Sequence, residues 1–188
     1  MNEVDTMSLR PLDIVVVIKL FTTGDKRWSY RDMASSLGIS SSSLHQSIRR
    51  SVESRLLDPK TPKPRKRALH EWLVHGVKFF TPPIRGSVTR GIPTGYAAPP
   101  LENKIVQPRD FPPVWPDEEG NVLGVSFLPI HECVPKAAKK DAELYELLAL
   151  LDAVRGGRVR ERIFASEEIT KKLGLRDSQI KIINSKSI

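Results

Sequence analysis

Apolar positions in the first eighty residues fall into groups with different spacing. "PLDIVVVIKLFTT", Pro11 to about Thr23, is apolar almost without a break. "DMASSLG" puts Met33, Ala34 and Leu37 on one face, and "SSSSLHQSIRRSVESRLL" repeats Leu44, Ile48, Ser51/Val52 and Arg55/Leu56 at helical spacing. Read alone, the first run fits a buried strand as well as a helix, because its residues are β-branched. Pro11 at the first position, Asp13 in the first turn and the elements that follow favour the helix. The second element starts at a Ser29 cap with Asp32 third in line and stops at Gly38, from which Ile39 returns to the core. The third starts at a cap on Ser40 or Ser41 and runs about four turns to near Leu57. Nine serines lie between Ser35 and Leu57, a composition typical of a linker. The apolar stripe argues for a helix instead, with Ser42, Ser43, Gln46, Arg49, Arg50 and Glu53 on its other side.

Beyond Leu57, "DPKTPKPRKR" cannot remain helical, because each proline removes an amide and restricts the residue before it. "ALHEWLVHGVKFF" resumes helical spacing, with Leu69, Trp72, Leu73 and Val77 inward. Nine of the fifteen prolines then fall between Pro82 and Pro116. Residues 82–135 are expected to form an extended, irregular wrap with a short hairpin around Gly120 and Asn121. "AAKKDAELYELLALLDAVRGG" is apolar around most of its circumference, which calls for burial on several sides. "RVRERIFASEEITKKLG" is a last helix ending at Gly174. The expected class is mainly α, with boundaries at 9–80, 81–135 (irregular) and 136–176 (helical, a homodimer or partner surface).

Charge sharpens this picture. The chain carries 30 Lys and Arg against 22 Asp and Glu, a net charge of +8. Residues 41–67 hold eight basic and two acidic side chains, so six of the eight excess charges lie in 27 residues. Such a run indicates a polyanionic partner, nucleic acid before anionic membrane, with a solvated basic face as the plainer alternative. A single cysteine excludes an internal disulfide framework and fits a reducing, cytoplasmic setting. The acidic N-terminus lacks signal-peptide character, and the run to Phe21, broken by Lys19, is too short to span a bilayer. Met7 is a second possible start.

Two helices joined by a tight glycine turn, the second with a polar and basic outer face, are the parts of a helix-turn-helix. In "DMASSLGISSSSLHQSI", Ala34 permits close helix approach, Gly38 makes the turn and Leu44 anchors the second helix. Residues 9–80 resemble the winged helix-turn-helix superfamily, of the kind found in MarR-like bacterial transcriptional regulators. The resemblance implies that the helix from Ser41 is a recognition helix in the major groove of double-stranded DNA. Ser42, Ser43 and Gln46 would lie nearest the base edges, with Arg49 and Arg50 placed for bases or phosphates. Lys60, Lys63, Arg65, Lys66 and Arg67 would occupy the wing position, where three prolines predict a degenerate basic arm in place of a regular hairpin. The segment from "ALHEWLVHGVKFF" to "PPVWPDEEG" resembles small bacterial winged-helix proteins paired with a nucleotidyltransferase-like toxin.

Other chemistry is poorly supplied. His70 and His75 are five residues apart where a zinc-binding helix needs four, and "HEC" at His131 to Cys133 has no matching ligand pair. "RGSVTRG" lacks phosphate-loop spacing, and Cys133 lacks an identified base. No catalysis, cofactor or metal is expected. The reading is a DNA-binding transcriptional repressor acting as a homodimer. The alternative is a protein-interaction module, such as an antitoxin that also represses its own operon, with a partner encoded by a neighbouring gene.

Overall fold

The computed structural model describes residues 8–106 and 110–175; Met7 and residue 176 lie outside them. Helix α1 spans Pro11–Thr23, and five consecutive residues, Ile14 to Ile18, are fully buried. It is packed on more than one side, by α3 (Ser41–Glu53) and α7 (Ala142–Gly156), which is why its sequence shows no helical period. Helix α2, Tyr30–Leu37, lies against α3 and against the short α6, Val134–Ala138. Helices α4 (Lys66–Glu71) and α5 (Val77–Phe80) are joined through one π turn, Trp72–Gly76, and Leu69, Leu73 and Val77 are buried along them. Helix α8 spans Val159–Lys172.

The mainly α class expected from the sequence does not hold. Helix accounts for 52% and strand for 13%, and a three-stranded mixed sheet makes the fold α/β. All three strands, β1 (Arg85–Pro93), β2 (Pro113–Pro116) and β3 (Val122–Phe127), fall in the segment read as irregular. Strand β1 runs antiparallel to both others, pairing Ile92 with Trp115 and Val88 with Val125, while β2 and β3 pair in parallel through Pro113 and Val125. Each strand therefore touches the other two, and the turn at Gly120 and Asn121 does not form the expected hairpin. Closure this tight needs missing side chains: a Cβ on Gly91 would strike the Trp115 carbonyl, and one on Gly124 the Pro112 carbonyl.

Helix α7 is the hub. Asp141 caps it by accepting the Leu144 N–H at 3.0 Å and also takes the Lys19 ammonium of α1 at 2.7 Å. Its apolar circumference is used within the chain, against α1, α5, α6 and α8, so the expectation of a homodimer through this helix loses its basis. On the sheet side, buried Asp152 accepts the Trp115 indole N–H at 2.6 Å and the Thr94 hydroxyl at 2.9 Å, and it pairs with Arg155 at 2.5 Å. Helices α4 and α8 meet at His70. The Thr170 hydroxyl spends its proton on the Ser166 carbonyl, so the His70 Nε2–H donates to it at 2.8 Å, and burial holds the His70 pKa below its ordinary value. One apolar core, from Ile14 to Leu173, draws on all three regions marked out by the sequence.

Two serines of α3 lie in the interior. Ser47 and Ser51 are fully buried, and neither hydroxyl has a hydrogen-bond partner among the described residues. They act as small residues, and their hydroxyls are a cost. Ser47→Ala is expected to raise the unfolding free energy by about 1 kcal/mol, from the removed unsatisfied hydroxyl and the better helix former. Urea denaturation measures it, and a lower midpoint would show that the hydroxyl is satisfied.

Candidate nucleic-acid interface

The α2–α3 unit is closed by local bonds that follow from the sequence. The Ser29 hydroxyl accepts the Asp32 N–H at 3.1 Å at the start of α2, and the Ser40 hydroxyl accepts the Ser43 N–H at 3.0 Å at the start of α3. Between them Gly38 sits in the left-handed region at φ 69°, and the Ile39 N–H returns to the Ala34 carbonyl at 3.0 Å. Met33, Ala34 and Leu37 of α2 and Leu44 and Ile48 of α3 are buried in the core. The opposite side of α3 presents Ser42, His45, Gln46 and Arg49, all exposed, with Ser43 half-buried beside them. Arg49 donates to Glu53 at 3.0 Å one turn on, an exposed pair worth little and easily exchanged for a phosphate or base contact.

Arg50 is not on this face. Its guanidinium makes a bidentate pair with Asp13 of α1, Nε to Oδ2 at 2.8 Å and NH2 to Oδ1 at 2.7 Å, with both residues buried. The Asp13 hydrogen bond raises the Arg50 pKa against the burial that opposes it. The expected contact of Arg50 with bases or phosphates is therefore withdrawn. Asp13 also accepts the Arg10 N–H at 2.8 Å, so this one carboxylate starts α1 and holds α3 to it.

Helix α3 ends at Glu53, a turn before the expected limit, with Arg55 turning the chain at φ 61°. The basic stretch that follows forms a closed loop without strands. Leu57 and Pro64 form one isolated bridge, the Asp58 N–H donates to the Lys63 carbonyl at 3.0 Å, and the Arg65 N–H donates to the Leu56 carbonyl at 2.8 Å. No regular hairpin forms here, and of the five basic residues expected in the arm, Lys66 and Arg67 instead open α4. Asp58 organises the tip of the loop: the Thr61 and Lys60 amides that it accepts hold its carboxyl below the usual range. Lys63 reaches Asp25 in the α1–α2 turn at 2.5 Å, and that hydrogen bond lowers the Asp25 pKa. Lys60, Arg65, Lys66 and Arg67 are exposed, Lys66 lying 5.8 Å from the Phe21 ring. Between the loop and the α1–α2 turn runs an open cleft of about 450 Å³, lined by Lys26, Arg27, Trp28 and Lys63 among others.

The sequence reading missed His45. Its ring stacks on Tyr30, with centroids 3.8 Å apart and planes 3° apart, and Trp28 meets Tyr30 edge-on at 5.3 Å. The stack fixes the orientation of an exposed imidazole on the outer face of α3, one turn before Arg49. The signal available in the sequence was an aromatic pair, Trp28 just before α2 and Tyr30 as its first residue, ahead of a helix that carries a histidine on its outward side.

The other centres considered offer little. Among the described residues no group of three His, Cys, Asp or Glu side chains could hold a metal ion, and no helix is long and apolar enough to cross a membrane. Cys133 is buried, and that burial pushes its thiol up to about 12, far from a thiolate nucleophile. No protein-family model matches the chain, and neither a curated protein nor a solved structure does.

Proposed function

We propose that this protein binds double-stranded DNA through the outer face of α3 and acts in the cytoplasm as a transcriptional repressor, by binding and without catalysis. One observation carries the reading: a capped helix-turn-helix whose inner face is pinned by the Asp13–Arg50 pair leaves Ser42, His45, Gln46 and Arg49 in a single exposed stripe. A reader of base edges needs that combination of a rigid mount and free polar ends, and short serines allow close approach to the groove. The basic loop, tied to the same unit through Lys63 and Asp25, supplies the sequence-independent part by neutralising phosphates.

The test is a binding titration on DNA from upstream of the protein's own gene, beside random DNA of equal length. Gln46→Ala and Arg49→Ala are each expected to weaken specific binding by about tenfold or more while leaving random DNA nearly unaffected. Combined alanine substitution of Lys63, Arg65 and Lys66 is expected to weaken both DNAs alike and to flatten the dependence on salt. Specific binding that survives both α3 substitutions unchanged would refute this use of the helix.

A further inference from the structure

Away from α3, apolar side chains gather where the stretch between α5 and β1 crosses the α7–α8 turn. The crossing is held by Arg155, donating to the Thr81 carbonyl at 3.0 Å and the Pro82 carbonyl at 3.5 Å, and by Arg85, donating to the Gly156 carbonyl at 3.0 Å. Phe79 and Phe80 end α5 beside it, and Ile84 leads into β1. The Leu128 N–H donates to the Ile84 carbonyl at 2.9 Å, and Val159 and Ile163 stand one turn apart on α8. All six are exposed, Phe79 at 79% and Val159 at 64%. Single exposed apolar residues are ordinary, but six on elements that meet at or next to one crossing make this side of the molecule a candidate contact surface.

The charges around them identify what would cover it. Arg85, Arg158, Arg160 and Arg162 are exposed on the same elements, and none pairs with a carboxylate among the described residues. Three of them sit at the start of α8, where the helix dipole disfavours cations; Arg160 lies over the Phe164 ring at 5.4 Å, and no carboxylate among the described residues forms an ion pair with any of them. Glu161 is buried and occupied by the Arg158 N–H at 3.0 Å, while Glu167, one turn past Ile163, is the exposed acid of this helix. A second copy of the chain would set these arginines against their own counterparts, which like-charge repulsion opposes. DNA would answer the arginines but offers phosphates and sugars, not apolar surface to cover two phenylalanines and an isoleucine.

We infer that this face docks an acidic, amphipathic segment of a partner protein, its apolar side chains on the Phe79, Ile84 and Ile163 side and its carboxylates on the α8 arginines. The surface shares no element with the α2–α3 unit, so docking and the proposed DNA contact are compatible and separately testable. The probe is a labelled synthetic peptide of leucine and glutamate with helical amphipathic spacing, titrated against the full chain; its controls replace every glutamate by glutamine or by lysine. The glutamate peptide is expected to bind about tenfold or more tightly than the glutamine peptide, weakening with salt, and the lysine peptide to bind least. Arg160→Glu with Arg162→Glu should reverse that order, and Ile84→Ser with Ile163→Ser should weaken the glutamate peptide about tenfold. All four positions are exposed, and circular dichroism verifies the fold. Arg49→Ala should leave peptide binding intact, which separates this inference from the DNA reading. Equal affinity for the three peptides overturns the inference, as does self-association by sedimentation abolished by Ile84→Ser and Ile163→Ser. Loss of random-DNA binding in the α8 double variant without change in peptide binding would assign the face to nucleic acid instead.

Discussion

Replacing Arg50 by alanine is expected to cost about 3–5 kcal/mol, a large fraction of the stability of an ordinary domain, because Asp13 would stay buried with its charge uncompensated. The geometry argues for the upper part of that range. Both guanidinium bonds are short, at 2.7 Å and 2.8 Å, Asp13 is 0% exposed, and its remaining donor is the Arg10 amide. Asp13→Ala should do similar damage, and the double variant should be clearly more stable than the sum of the two losses, since each partner is costly chiefly when the other is missing. Thermal or urea unfolding of the two single variants and the double tests this. Independent, additive losses would mean that the pair is not coupled as its distances imply.

Arg49→Ala removes an exposed side chain and should leave stability within about 0.5 kcal/mol of the parent. On the proposed DNA reading, Arg50→Ala should also lower binding, but through loss of the Asp13 pair that holds α3 to α1. Two adjacent arginines thus fail for different reasons, and only a stability measurement beside the binding measurement separates them.

Much of the α2–α3 unit was legible because its determinants are local. Caps at Ser29 and Ser40, the left-handed Gly38 and the Leu44 and Ile48 stripe each depend on neighbours within a few residues. Arg50 was not, because its partner lies 37 residues away and the inner face of α3 is wider than the stripe through Leu44, Ile48 and Ser51/Val52, taking in Ser47 and Arg50 as well. The same difficulty hid the role of Asp13, sufficiently explained as a first-turn acid. Beyond a short hairpin expected around Gly120 and Asn121, the sheet escaped notice because its strands neither alternate nor avoid proline: Pro93, Pro113 and Pro116 lie within them, and Gly91 and Gly124 permit close strand approach. Helix α7 was recognised as buried on several sides, but sequence cannot tell whether a partner chain or the same chain does the burying. His45 needed the fold, since stacking on Tyr30 is a contact between two helices.

Asp152→Ala is the second change expected to be severe, again about 3–5 kcal/mol, and it should act on the opposite side of the molecule. Its carboxylate is the meeting point of Arg155, Trp115 and Thr94, all of them buried. Removing it leaves an uncompensated guanidinium, an indole N–H without an acceptor and a hydroxyl without one, three penalties from a single truncation. Asp152→Asn should be milder, since the amide oxygen can still accept from Trp115 while the ion pair is lost. The loss should also be regional. Trp115 belongs to β2 and Thr94 follows β1, so hydrogen exchange of the sheet amides should accelerate together, more than that of α2 and α3. Asp13→Ala should show the reverse order, loosening α1 and α3 first. Uniform acceleration in both variants would mean that the chain opens only as a whole; opposite patterns would show two separately held parts, α1 bound to α3 through Asp13 and the sheet bound to α7 through Asp152, with α7 packed against both α1 and the turn beside β2.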